Sequence, residues 1–108
     1  MGSGLSDREI VRALKALADP ARFRMVQEIA AVGELTCGQV ADRFDVSQPT
    51  ISHHLKILVD AGVLVMRSEG RHHVTSVNHT LLDNLRHLLG VRLAPSAKRP
   101  PARKAARA

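Results

Sequence analysis

A chain of 108 residues, 44% of them hydrophobic, is sized for one domain with a modest core. Its single cysteine excludes an intrachain disulfide framework and a multi-cysteine zinc site, and no apolar run approaches the roughly 18 residues of a membrane span. The net charge of +6 is unevenly spread: Lys98, Arg99, Arg103, Lys104 and Arg107 follow residue 94 with no acid among them, while residues 1–94 carry eleven basic and ten acidic side chains. Such a tail favours polyanions, of which nucleic acid is the commonest soluble one. Phe23 and Phe44 are the only aromatic residues besides histidine. Readers of RNA and single strands stack bases on aromatic rings, so duplex DNA suits this composition better. The start reads directly into a charged helical pattern, without the features of a signal peptide, so a cytoplasmic location is expected.

In chain order, Ser6 and Glu9 have the spacing of a capping box, and Ile10, Val11, Leu14, Leu17 and Ala18 follow at helical intervals. A first helix is expected at 6–18, after a disordered start or vector-derived scar at 1–5. Asp19-Pro20 reads as an N-cap and first helical residue, opening a second helix at 20–31 that Gly33 stops. Thr36 and Gln39 repeat the capping-box form before a short helix at 36–44. Asp45-Val46 turns the chain. Ser47 caps a helix at 48–60, with Pro49 tolerated in its first turn and Gly62 at its end. Residues 63–68 and 72–77 read as strands joined by a tip at Glu69-Gly70. Asn78 can cap a last helix at 79–92 bearing Leu81, Leu82, Leu85, Leu88 and Leu89. From 94 to 108 the Pro/Ala/Lys/Arg composition cannot bury a core, and disorder is expected. The body at 6–93 is therefore mainly α with a small β-hairpin wing, a winged helix-turn-helix for DNA binding and dimerisation. Its first and last helices carry more leucine and isoleucine than one small body covers easily, so pairing of two copies through Ile10, Leu14, Leu17, Leu81, Leu82, Leu85, Leu88 and Leu89 is expected.

The segment QVADRFDVSQPTISHHLKIL carries most information. Ala41 is small where two helices approach, Val46 anchors the turn, and Ile51 and Leu55 face the core. Gln48, Thr50, Ser52, His53, His54 and Lys56 remain to face outward. Gln can bond an adenine edge at two points, and Ser and Thr can bond several bases. Together with LADPARFRMVQEI before it and AGVL after it, this stretch resembles the ArsR/SmtB family of bacterial winged-helix repressors over residues 8–90. The resemblance implies a homodimer joined by its end helices and bound to double-stranded DNA at an inverted repeat. It further implies helix 48–60 in the major groove, with Ser47, Gln48, Thr50, Ser52, His53 and His54 as DNA-contacting positions, and a wing that brings Arg67, Arg71 and His72 to the backbone or minor groove. His54 precedes core Leu55 and has packing as its alternative.

Many members of that family respond to metals, and the residues here depart from both family sites. The family's two third-helix cysteines fall on Thr36 and Gly38, with Cys37 between them. Soft ions take two or three thiolates, so that site is absent. In the last helix His79, Asp83 and His87 are candidate ligands, in an order that differs from the family's. Cys37 is a candidate redox switch, because a helix N-terminus lowers a thiol pKa. No cofactor is expected, no inducer is read from the residues, and no catalytic constellation or phosphate-cradling loop indicates an enzyme. The alternatives kept are a nonspecific architectural DNA-binding protein driven by the tail, and a metal- or redox-responsive repressor.

Overall fold

The computed structural model describes residues 4–95, so the basic tail expected to be disordered lies largely outside the described residues. The elements are α1 (Asp7–Leu17), α2 (Pro20–Val32), β1 (Glu34–Thr36), α3 (Cys37–Asp42), α4 (Gln48–Asp60), β2 (Leu64–Glu69), β3 (His72–Val77) and α5 (His79–Arg92). Caps set the helix starts. Ser6 and Glu9 satisfy one another's backbone N–H groups ahead of α1, and Thr36 and Gln39 do so ahead of α3. The Asp19, Ser47 and Asn78 side chains accept from the first turns of α2, α4 and α5. The Asn78 amide also donates to the Gly62 carbonyl at 3.0 Å, tying the start of α5 to the end of α4.

The expected hairpin is present, but its tip is Gly70-Arg71, because Glu69 and His72 pair in the ladder and Gly70 takes a positive φ of 63°. A third strand was not expected. The strand β1 joins β3 antiparallel, giving the order β1-β3-β2. Three residues are too few to show a two-residue period, and the partner strand lies some forty positions away. The fully buried Thr75 hydroxyl reinforces this pairing by donating to the Leu35 carbonyl at 2.8 Å. Formation of β1 also moves the start of α3 to Cys37.

The inner sheet face, with Leu35, Leu64 and Val77, meets Met25 and Ile29 of α2 and Ile51, Leu55 and Leu58 of α4 in one core. This core is why the outward face of α4 is fixed: its apolar seam is gripped along the whole helix. The start of the chain also participates. Leu5, assigned from sequence to the disordered start, is half-buried against the core, and its carbonyl accepts from Arg92 at 3.1 Å.

Candidate nucleic-acid interface

Ile51, Leu55 and Leu58 bury one side of α4, which leaves Gln48, Pro49, Thr50, Ser52, His53 and Lys56 exposed on the other. Gln48, Ser52 and Lys56 are four residues apart and form one row, with Pro49 and His53 alongside. Thr50 is partly committed to the cap, since its hydroxyl lies 2.9 Å from that of Ser47. Lys56 pairs with Asp60 at 3.2 Å in an exposed contact that is readily exchanged. The first turn of α4 thus offers amide, hydroxyl and imidazole groups on a rigid support, and α3 packs behind it.

His54 is placed differently from its neighbours. It is half-buried, and its Nδ1 lies 3.3 Å from Nη1 of Arg22 at the start of α2. In the protomer its ring is thus partly packed against Arg22, in keeping with the second of the two readings open from the sequence. Arg22 was not singled out from the sequence. Its guanidinium also donates to the Ala16 carbonyl at 2.7 Å and the Lys15 carbonyl at 3.4 Å, at the end of α1. The Arg22 backbone N–H meanwhile holds the Asp19 carboxyl below its usual range.

On the wing, Arg71 and His72 are exposed at the tip. Among the described residues Arg71 has no ion pair, whereas Arg67 has two. Arg67 donates to both carboxylate oxygens of Glu34, at 2.5 and 3.2 Å, and to Glu69 at 3.0 Å. Its register partner on β3 is Val74, only 6% exposed, whereas Glu34 pairs with Ser76, so the contact runs diagonally across the outer sheet face. Arg67 was expected at the DNA; here it straps the outer sheet face, and reaching phosphate would require breaking both pairs. These bonds hold the Glu34 carboxyl below its usual range and raise the Arg67 pKa further. His73, the next residue of β3 and so on the opposite face from His72, lies near Ser68, with Nδ1 and Oγ 3.5 Å apart.

The sensing candidates stand as follows. Cys37 is half-buried at the start of α3, and desolvation pushes its thiol pKa up, against the lowering expected from the helix terminus. A thiol kept protonated is less readily oxidised, so this environment weighs against the redox reading. Thr36 is used as a cap and Gly38 has no side chain, so the residues do not fit the family's third-helix metal site. On α5, His79 and His87 are two turns apart, about 12 Å along the axis, and exposed Asp83 lies 3.8 Å from Arg86. Among the described residues no three His, Cys, Asp or Glu side chains gather into a metal site.

The apolar face of the end helices also differs in detail from expectation. Ile10 and Leu85 belong to the protomer's own core, and Leu17, Leu81, Leu82, Leu88 and Leu89 pack partly against it. What remains outward is Leu14 at 39% exposure together with Val11 at 49%, Val91 at 59% and Leu93 at 77%. The last three were not among the residues expected in the pairing face. An open groove of about 460 Å³ runs between Val11 and Leu14 of α1 and Leu89 and Leu93 at the end of α5.

Residues 17–67, from the end of α1 into β2, match the model of a helix-turn-helix domain family. The arsenical resistance operon repressor of Staphylococcus xylosus is 36% identical over 87 residues, 81% of this chain and 83% of that protein. A solved structure of a possible transcriptional regulator for arsenical resistance is 32% identical with a TM-score of 0.68, over 78% of this chain and 86% of the other. The solution structure of a homodimeric winged helix-turn-helix DNA-binding domain from Mycobacterium bovis, 24% identical, shares the fold with a TM-score of 0.65 over 83% and 89% of the two chains. With these likenesses covering most of the chain, the chain belongs to the ArsR/SmtB family of winged helix-turn-helix transcriptional regulators, proteins that bind DNA rather than catalyse a reaction.

Proposed function

We propose that the chain is a cytoplasmic, homodimeric repressor that reads an inverted repeat in duplex DNA with the first turns of its two α4 helices. The observation that carries this reading is the outward row of α4. Gln48, Ser52 and His53 are exposed hydrogen-bonding groups with no role in the protomer's packing, beside a seam that fixes their direction. Residues near the start of a recognition helix meet base edges. Ser47, Thr50 and Lys56 then serve the backbone and neighbouring bases, and Arg71 and His72 reach out from the wing tip.

Pairing of two copies is supported by the unpartnered apolar groups Val11, Leu14, Val91 and Leu93, and by the homodimeric state of the Mycobacterium bovis domain. Two-fold pairing sets the two recognition helices about one duplex turn, roughly 34 Å, apart. Repression follows if the site overlaps a promoter and excludes polymerase, as the word repressor implies for the Staphylococcus xylosus relative. Selection of bound duplexes from a random pool tests the reading. The expected product is an inverted repeat occupied by two protomers; enrichment of single half-sites with one protomer each would overturn it.

A further inference from the structure

The Arg22 side chain does more than cap a helix. Its Nε and Nη2 groups take the Ala16 and Lys15 carbonyls, and its Nη1 reaches His54 in α4. One guanidinium, rooted on α2, therefore touches the end of α1 and the middle of α4. The bond to Ala16 satisfies a carbonyl that the helix end leaves unpaired, the one to Lys15 joins the Ala18 N–H already there, and both place a fixed positive charge at the negative end of α1. The third has a chemical consequence. A guanidinium is only a donor, so His54 Nδ1 must be the acceptor, and the imidazole is held as the tautomer with its proton on Nε2.

We infer that Arg22 is a positioning residue for DNA recognition, acting through His54 to set the angle between α1 and α4. This rests on the dimeric reading above: α1 carries the pairing face and α4 the reading face, so a bond that fixes their relation also fixes the distance between the two recognition helices. Neither residue then needs to touch a base. Arg22 selects half-site spacing, while Gln48 and its neighbours select half-site sequence. A rigid planar donor with several N–H groups suits this task, and a lysine in its place would engage at most part of the set.

Two measurements test this on the full chain. The first uses ¹⁵N chemical shifts of the imidazole rings and needs no DNA. His54 is expected as the Nε2–H tautomer with Nδ1 in a hydrogen bond, and Arg22→Gln should change that signature. A proton on Nδ1 in the wild type would overturn the proposal, because the observed contact would then set donor against donor. The second measures affinity for the selected operator and for versions with the spacer one base pair longer or shorter. The wild type should discriminate against the altered spacers about ten-fold. Arg22→Gln and His54→Leu should each lose most of that discrimination, the double variant no more than either alone, and His54→Asn, which keeps an acceptor near the Nδ1 position, should recover it. Because His54 caps nothing, His54→Leu stays informative even where Arg22→Gln destabilises α1. Full discrimination in both single variants, or additive losses, would overturn the proposal. A wild type indifferent to spacing would instead refute the dimeric reading on which it rests.

Discussion

Gln48 sits at the first position of α4 with its side chain exposed, and its amide can bond an adenine edge at two points. Gln48→Ala should weaken operator binding by about 1–3 kcal/mol and relax preference at one base position, as read by titrating single-base variants of the operator. A uniform loss across all sequences would assign Gln48 to the backbone instead. Two carboxylates make a separate prediction about acid. The bond from Arg67 lowers the Glu34 pKa, and the Arg22 backbone N–H lowers that of Asp19. A group whose pKa is lowered by folding contributes stability above its unfolded pKa, and this is lost as pH falls through the folded value. Urea midpoints should therefore hold from neutrality down to about pH 4 and fall below it. The combined Glu34→Gln and Asp19→Asn variant should show a shallower acid decline than the wild type.

At the scale of elements, the junction of α4 and β2 turns on one glycine. Gly62 has φ +84°, and an added Cβ would lie 2.7 Å from Leu81 Cδ1 of α5. Gly62→Ala puts a side chain on left-handed backbone, while the Leu81 methyl can turn aside, and should cost about 1–2 kcal/mol in urea unfolding. Much of this architecture was legible in the sequence, because caps and periods are local. Ser6 with Glu9, Thr36 with Gln39 and Ser47 before Pro49 marked three helix starts, and Ile51 and Leu55 marked the buried side of α4. What was not legible depends on distant partners. The strand β1 exists because β3 pairs with it and Thr75 bonds Leu35. Arg22 was not singled out and Arg67 was expected at the DNA, because only the fold brings the α1 carbonyls and Glu34 beside them. Ile10 and Leu85 have the same leucine-rich setting as their neighbours, and only packing shows that the protomer covers them itself.

The whole molecule depends on whether two copies meet through α1 and α5. Val11 is half exposed, so replacing it leaves the protomer core intact while placing a charge in the proposed interface. Val11→Glu should shift the sedimentation mass from dimer to protomer, with near-native circular dichroism and much weaker operator binding. The central claim, specific reading of duplex DNA by the folded body, is tested most directly by recovering fragmented host genomic DNA with the purified protein at about 0.15 M salt, where loose ionic binding is weakened. The account predicts a few sites that share an inverted repeat, and the same sites, more weakly held, for a chain ending at residue 94. DNA with no common motif, lost once the basic tail is removed, would contradict it.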